Sequence, residues 1–385
     1  MSAMTFKIQV KDTKTRARVA SLETPHGIIE TPSFVTVGTL ASVRTLTPDE
    51  IRAAGSQAVL ANTYHLYLEG RHEVIAKAGG LAKFMNWNGP TMTDSGGYQV
   101  FSLGFRDDDI QNGDPRGVEN SRIKITEDGV KFRSHRNGDE LKLTPELSVE
   151  IQESIGADIC FAFDECTSPL WSHDYNKESL ERTTRWARRS LDARTRRDQA
   201  MFGVIQGGHY EDLRGQSLKD IVSMPFEGYG LGGRIDLSEK DLGAMVRQMT
   251  DALPEEKPRH LLGMGSPKEI LDVIAEGVDL FDCVVPTREA RNGALYTSQG
   301  RVHIENAQFR EDFSPLDQEC SCMLCGQFTK AYLHHLFRAG ELLAKRLATI
   351  HNLTFINGLV RQAREAIRAG SFTDFHRAFQ RKNVY

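Results

Sequence analysis

The sequence Leu-Phe-Asp-Cys-Val-Val at residues 280–285 is a short apolar run that one carboxylate, Asp282, interrupts. It is the last of eight such runs, and patterns typical of helices lie between most of them. The runs are 34–37, 58–61, 91–93, 159–163, 201–205, 229–231, 260–262 and 280–285. Eight strand–helix units predict an α/β fold whose parallel strands close into a (β/α)8 barrel, the TIM barrel.

In a (β/α)8 barrel the carboxyl ends of all strands share one mouth, where the chemistry takes place. Three runs end at Asp94, Asp164 and Gln206, and the last run contains Asp282. The periodicity therefore predicts that these four side chains converge on one ligand. A buried carboxylate is costly unless it is paired or functional. On the stretch 280–288 alone, a helix cap explains Asp282 about equally well.

The composition is that of an ordinary globular protein, with 39% hydrophobic and 26% charged residues among 385. No apolar run approaches the roughly 18 residues of a membrane span, and the N-terminal residues lack the apolar core of a signal peptide. We therefore expect a cytoplasmic protein. The net charge of −4 does not indicate a nucleic-acid partner. Seven arginines crowd residues 182–197, where a solvated helix face is favoured over a phosphate-binding patch.

The sequence pattern divides the chain into three parts. Residues 1–32 alternate apolar and polar positions between turns, which predicts an N-terminal antiparallel sheet. Residues 33–299 carry the barrel, and a turn-rich segment at about 104–143 predicts a hairpin insertion on a barrel loop. Residues 300–385 predict a zinc-binding and helical subdomain. Helices are predicted at about 145–156, 177–197, 209–223, 238–252, 267–276, 329–348 and 352–369.

Three cysteines, Cys320, Cys322 and Cys325, form a tight cluster, and His351 follows 26 positions after the last of them. In a reducing compartment such a cluster indicates a metal site rather than disulfides. Three thiolates and one imidazole satisfy tetrahedral Zn²⁺ and leave no open position, so we expect one structural zinc ion per chain. His334 and His335 are rival fourth ligands. His351 is preferred because it falls between two predicted helices, where a turn brings it back to the cluster.

Several long motifs accompany the cluster: NTYHL at 62–66, TDSGGYQ at 93–99, FDECT at 163–167, QGG at 206–208, and FDCV with PTR within 281–288. Together they resemble the tRNA-guanine transglycosylases, also called queuine tRNA-ribosyltransferases, over residues 6–380. The lack of an added C-terminal RNA-binding domain is similar to the bacterial type. The resemblance implies a homodimer that exchanges guanine for a 7-deazaguanine in queuosine biosynthesis. The exchange takes place at the wobble position of GUN-anticodon tRNAs, those for aspartate, asparagine, histidine and tyrosine.

The resemblance also implies residue roles. Asp282 matches the nucleophile that attacks C1′ of the ribose through a covalent intermediate. Asp94 matches the general acid/base, with Asn62 placed to orient it, and Asp164 matches the reader of the purine N1–H and 2-amino edge. The other matches are Gln206 and Gly233 at the base carbonyl, Ser95 beside them, Tyr98 stacked on the base, Leu262 under it, Arg288 and Arg291 on the tRNA, and Tyr332 and His335 at the dimer interface.

Some residues depart from the family's bacterial pattern. Residues 232–239 read GGRIDLSE instead of GGLAVGE, Ile205 replaces a second glutamine, Leu262 replaces methionine, and the insertion around 106–120 is unusual. The altered loop Arg234–Glu239 borders the substituent of the incoming base. Both 7-aminomethyl-7-deazaguanine (preQ1), the default, and queuine therefore stay open. Two other functions remain as alternatives: a non-catalytic tRNA-binding subunit, which the three aspartates disfavour, and a 7-deazapurine exchanger that acts on DNA.

Overall fold

The strands of the protein are described in a computed structural model that covers residues 3–104, 123–134, 138–168, 170–232 and 239–382. In chain order they are β1 (Thr5–Lys11), β2 (Arg18–Thr24), β3 (Gly27–Thr31), β4 (Ser33–Val37), β5 (Val59–Ala61), β6 (Thr91–Thr93), β7 (Ile123–Thr126), β8 (Gly129–Arg133), β9 (Glu140–Leu143), β10 (Ile159–Phe161), β11 (Ala200–Ile205), β12 (Gly228–Leu231), β13 (Arg259–Leu261), β14 (Leu280–Cys283), β15 (Ala294–Thr297) and β16 (Gly300–His303).

Eight of these strands form a closed parallel barrel in the order β4-β5-β6-β10-β11-β12-β13-β14, and β14 pairs with β4 to complete the ring. The predicted (β/α)8 barrel is thus confirmed, and each of the eight predicted runs overlaps one of its strands. Alternate side chains point inward and fill the barrel, among them Leu60, Met92, Phe161, Phe202 and Leu280. The strands are apolar on both faces because helices cover their outer side.

The helices that flank the barrel follow local signals in the sequence. Pro145 and Pro267 each occupy the first turn of a helix, where no backbone N–H is needed, and Thr47 and Glu50 form a capping box. The helices are α1 (Pro48–Ala53), α2 (Thr63–Tyr67), α3 (Arg71–Lys77), α4 (Leu81–Met85), α5 (Gly97–Gly104), α6 (Pro145–Ile155), α7 (His173–Ala193), α8 (Glu211–Val222), α9 (Glu239–Ala252), α10 (Pro267–Ala275), α11 (Val285–Arg291), α12 (Met323–Gln327), α13 (Lys330–Arg338), α14 (Leu342–Arg368) and α15 (Phe372–Lys382). None of these described helices is long and apolar enough to cross a membrane.

The N-terminal antiparallel sheet β1-β2-β3 is present as predicted. It is fastened to the amino end of β14 by a buried ion pair. The Arg18 guanidinium donates Nε to Asp279 Oδ1 at 2.9 Å and Nη2 to Asp279 Oδ2 at 2.7 Å. Both side chains are almost fully buried, so the pair depends on this two-point geometry to offset the loss of water.

The insertion differs from the predicted hairpin, because β7, β8 and β9 form a three-stranded antiparallel sheet. The prediction missed β9, whose sequence Glu-Leu-Lys-Leu is short and half exposed and so carries a weak strand signal. The sheet is held to α7, where Trp186 Nε1 donates to the Glu127 carbonyl at 2.8 Å. The part of the insertion at 105–122 lies outside the described residues.

The C-terminal helices begin and end elsewhere than the sequence predicted. The predicted position of the break between the two helices, after residue 348, is wrong. Helix α13 ends at Arg338, and α14 runs without a break from Leu342 to Arg368. Gly340, with φ of 75°, takes the left-handed conformation that ends α13, whereas the apolar face of α14 continues through residue 351. His351 is therefore a buried residue in the middle of a helix.

Helix α14 packs along the seam where the barrel closes. Its Asn352 donates to the carbonyls of Pro286 and Ala294, at 3.0 and 3.1 Å. Its Arg364 donates to the carbonyl of Pro32 at 2.7 Å, across 332 positions of sequence. The last long helix of the chain therefore fixes both the first barrel strand and the segment that follows the last one.

Candidate functional site

The predicted convergence of polar side chains is present at the carboxyl ends of the barrel strands. Asp94, Asp164, Gln206 and Asp282 all line one cavity of about 340 Å³. This volume is within the range of about 300–1,000 Å³ that is usual for small-molecule sites. The barrel closure brings these residues together because each one stands at or just beyond the end of its own strand.

Asp94 follows β6 and is held by three donors. Its Oδ1 accepts from the backbone N–H of Thr63 at 2.8 Å, and its Oδ2 accepts from Gln99 Nε2 at 2.7 Å and from Asn62 Nδ2. Burial raises the pKa of Asp94 to about 6, and the nearby Asp282 charge also raises it, while the three donors oppose the shift. Asp94 can therefore both give and take a proton near neutral pH.

Asp164 lies deeper in the cavity. It accepts a hydrogen bond from Ser95 Oγ at 2.8 Å and one from Gln206 Nε2 at 2.7 Å. Burial raises the pKa of Asp164, although both donors oppose the shift. A side chain at Gly97 would clash with the backbone oxygen of Asp164, so glycine lets the turn after β6 approach the carboxylate. An ionised Asp164 retains lone pairs for a ligand that presents two adjacent donors.

Asp282 lies on β14, and its side chain remains 15% exposed to the cavity. A fully buried histidine, His260 of β13, places Nε2 2.8 Å from Asp282 Oδ1. In the parallel pairing His260 is opposite Leu280, so Asp282 stands two residues nearer the mouth on the same face of the sheet. The helix-cap alternative does not describe this residue, because α11 begins at Val285 and Val284 is its N-cap.

The rim of the cavity holds the remaining candidates. Asn62, Ser95, Tyr98, Leu262 and Arg288 also line it, and the Tyr98 side chain is exposed. Gly233 and the altered loop at 234–238 lie outside the described residues. Arg291 is half-buried outside this lining, and its pKa is lowered by burial and by the positive charges of Arg44 and Arg288. Three arginines thus form a cationic cluster beside the mouth.

The candidate metal centre contains the four residues that the sequence analysis predicted as ligands. The ligand atoms of Cys320, Cys322, Cys325 and His351 all lie within 4.8 Å of one another. His351 Nδ1 is 3.7, 3.4 and 3.4 Å from the three sulfurs. A tetrahedral zinc ion would separate nitrogen and sulfur ligands by about 3.5 Å. The donor set and its spacing therefore fit a metal ion such as zinc.

The hydrogen bond on the other side of the His351 ring supports the same conclusion. Its Nε2 lies 2.5 Å from the Tyr296 carbonyl and must donate to it, which leaves Nδ1 free of a proton and able to bind a metal. The two rival ligands lie elsewhere. His334 Nδ1 is 2.8 Å from the carbonyl of Ile304, and His335 is exposed on α13.

Three residues near the mouth were missed by the sequence analysis: Gln99, His260 and Arg44. Gln99 belongs to one of the long motifs and His260 to a predicted strand, but the sequence predicts no role for either residue. A polar residue inside an otherwise apolar barrel strand was the available signal for His260. No local pattern marks Arg44, whose positive charge acts on Arg291 only because the fold brings the two side chains near each other.

Most arginines of the stretch 182–197 form ion pairs with carboxylates, both on α7 and in the segment that follows it. Arg185 and Arg189 contact Glu127 and Glu146, each at 2.7 Å, and Arg182 contacts the buried Glu165. Arg194 and Arg196 also reach carboxylates. These five guanidinium groups are engaged within the protein, which favours the solvated-face interpretation over a phosphate-binding patch.

The fold and the site together define an enzyme of the (β/α)8 barrel class, with three carboxylates at its mouth and a metal-binding cluster beyond the barrel. A family profile described as "Queuine tRNA-ribosyltransferase" matches residues 12–384. The chain belongs to the queuine tRNA-ribosyltransferase family, whose members are pentosyltransferases.

Similar proteins cover the whole chain. A queuine tRNA-ribosyltransferase of Thermoanaerobacter pseudethanolicus is 48% identical over 387 aligned residues, covering 100% of this chain and 99% of its own. One of Caldanaerobacter subterraneus subsp. tengcongensis is 48% identical and covers 99% and 98% of the two chains. One of Pelotomaculum thermopropionicum is 47% identical and covers 99% of each.

Proposed function

We propose that this protein is a tRNA-guanine transglycosylase that replaces guanine at the wobble position of GUN-anticodon tRNAs with a 7-deazaguanine. The observation that carries the proposal is the convergence of Asp94, Asp164 and Asp282 on one cavity. Displacement at C1′ of a ribose needs one carboxylate to attack and a second to move a proton, as in retaining glycoside hydrolysis. A third carboxylate suits the paired donors on the edge of guanine.

Asp282 is the nucleophile in this mechanism. One carboxylate oxygen bonds to C1′ while the C1′–N9 bond breaks and its electron pair leaves with guanine. Asp94 gives its proton to the departing base. The incoming base then gives its N9 proton to Asp94 and attacks C1′, which releases Asp282 as a free carboxylate. A pKa of about 6 lets Asp94 act in both directions.

Recognition of the base falls to the deeper half of the cavity. Asp164 accepts from N1–H and the 2-amino group, and the Gln206 amide and the backbone at Gly233 donate to the base carbonyl. Gln206 and Ser95 already hold the Asp164 carboxylate in place. Tyr98 stacks on the base and Leu262 lies under it, since a nucleotide must leave its stack to enter such a pocket.

The tRNA is held by arginines at the rim, where phosphate contacts fix its position without reading its sequence. Arg288 and Arg291 take this role, and the charge of Arg44 extends their cluster. The protein acts as a homodimer whose interface includes Tyr332 and His335. An interface on this part of the chain is supported by large apolar side chains that are exposed between residues 313 and 342. They are Phe313, Met323, Tyr332 and Leu342.

The ion at the metal centre is Zn²⁺ with a structural role. Cys320, Cys322, Cys325 and His351 would hold it, and the bound ion would crosslink α12 and the loop before it to the middle of α14. Four protein ligands leave no position for a substrate. The chemistry of the barrel mouth therefore proceeds without it.

Guanine exchange tests the proposed function directly. We expect the purified protein alone to incorporate radiolabelled guanine into a GUN-anticodon tRNA and not into the same tRNA with another base at the wobble position. Competition among guanine, preQ1 and queuine identifies the incoming base, and we expect preQ1 to compete best. Exchange that needs a second protein would favour the non-catalytic subunit, and exchange into DNA alone would favour the DNA enzyme.

The acid side of the pH profile reports on Asp94. In the covalent intermediate the incoming base must give its proton to an ionised Asp94, so kcat/KM for the incoming guanine should fall as the pH decreases through the pKa of Asp94, about 6 in the free protein. The Gln99 donor holds the pKa of Asp94 down, so Gln99→Leu should move this limb to higher pH by about one unit. The measurement is the initial rate of guanine exchange between pH 5 and 9.

Ser102→Ala supplies the control, because Ser102 is exposed one turn along the same helix and does not contact Asp94 in the described structure. Its profile should overlay that of the unaltered protein. If the acid limb of the pH–rate profile of Gln99→Leu stays in place or moves to lower pH, Asp94 is not the group whose ionisation produces that limb.

A further inference from the structure

His260 occupies an unusual position in the barrel interior. Its side chain is fully buried on β13, and its ring meets Phe161 edge to face at a centroid distance of 5.3 Å. Apolar side chains such as Phe202 and Leu280 fill the surrounding interior. An imidazole is therefore placed where a leucine would pack, one layer below the mouth.

The two nitrogens of this ring have different environments. Nε2 lies 2.8 Å from Asp282 Oδ1, and because a carboxylate oxygen accepts, Nε2 carries the proton. Nδ1 is buried and has no hydrogen-bond partner among the described residues. A buried polar atom without a partner costs stability. Packing alone thus gives no reason for histidine here, whereas the bond to Asp282 does.

We propose that His260 is a positioning residue for Asp282, an inference that rests on the proposed function. Its N–H holds Oδ1 and fixes the carboxylate rotamer, so that the second oxygen is presented to C1′. When the C1′–oxygen bond breaks in the second half of the exchange, negative charge returns to the carboxylate. The same N–H stabilises that charge, because it is already oriented and needs no rearrangement.

The positioning role requires a side chain at residue 260 that can donate a hydrogen bond and is long enough to reach Asp282. Glutamine can place an amide N–H near the position of Nε2, while asparagine is one methylene shorter and its amide ends near the position of Nδ1. Leucine keeps the apolar volume and removes the donor. His260→Gln, His260→Asn and His260→Leu therefore separate the hydrogen bond from the packing at one site.

The experiment measures steady-state guanine exchange, single-turnover formation of the covalent RNA adduct, and thermal unfolding for the three variants and the unaltered protein. We expect His260→Leu to lower kcat and the adduct rate by about 10- to 100-fold, as loss of one hydrogen bond to a charged group does. Its KM for tRNA should change little, and its melting temperature should be equal or higher. His260→Gln should recover most of the rate, and His260→Asn should not.

Several results of these measurements would overturn the proposal. A His260→Leu variant with the full rate removes the positioning role, and equal rates for the glutamine and asparagine variants show that reach to Asp282 is irrelevant. Parallel losses of stability and rate in all three variants assign His260 to the fold. If His260→Leu does not fold, the comparison of glutamine with asparagine decides. Absence of exchange by the unaltered protein overturns the proposed function itself and this inference with it.

Discussion

Asp282→Asn is expected to abolish the covalent RNA adduct and to lower guanine exchange by at least about 10⁴-fold, as removal of a nucleophile does in other covalent enzymes. The amide has the size of the carboxylate but is a far weaker nucleophile toward C1′. Because Asp282 stands at the edge of the cavity with 15% of its side chain exposed, the change should leave the barrel intact. The adduct is measured on a denaturing gel with labelled tRNA.

Two companion measurements make this prediction specific. tRNA binding by Asp282→Asn should persist, since the rim arginines are untouched. Asp251→Asn, a change in a surface ion pair with Arg16 in which the Asp251 side chain is 53% exposed, should keep both adduct and exchange. An adduct of undiminished yield in Asp282→Asn would transfer the nucleophile role to another residue.

Loss of the metal centre is expected to have the second largest effect. His351→Ala removes one of four ligands and should reduce zinc affinity by more than about 100-fold, since even partners that only orient a ligand are worth 10- to 100-fold. The segment that carries the three cysteines, α12 and the loop before it, would then lose its attachment to α14 through the metal. We expect dimerisation and tRNA binding to weaken together and the melting temperature to fall, because structural zinc contributes directly to folding.

Zinc content by elemental analysis, light scattering and tRNA titration on the same preparations test this expectation. His303→Ala provides the matched control, because His303 is exposed on β16 and does not belong to the cluster. It should keep one zinc ion per chain and the same oligomeric state. An intact dimer with undiminished tRNA affinity after complete metal removal would separate the cluster from assembly.

The barrel was predictable because buried parallel strands are written as nearly continuous apolar runs, and eight of them recur with helical patterns between. The exact ends of the strands were harder to predict from the sequence. The run at 280–285 continues as apolar sequence to Val285, but β14 ends at Cys283 because Val284 already has helical backbone angles at the start of α11. Apolar sequence alone does not distinguish a strand from the helix turn that follows it.

The candidate site was predictable to the extent that its residues stand at strand ends. Asp94, Asp164 and Asp282 each follow or interrupt an apolar run, so a closed barrel brings them together. His260 was not predictable in this way, because its contact with Asp282 depends on the register between β13 and β14. Gln99 reaches Asp94 from a helix, and the contact requires the turn at Gly97.

The path of α14 has a consequence for biosynthesis. Arg364 and Asn357 bond to backbone carbonyls of Pro32 and Ala54, so the opening segments of the polypeptide are completed by residues near its end. These contacts join positions 303 and 332 residues apart, so they cannot form during synthesis until α14 itself has been made. Until then the early strands of the nascent barrel lack this helix and keep apolar surface exposed, which is the kind of intermediate that chaperones bind.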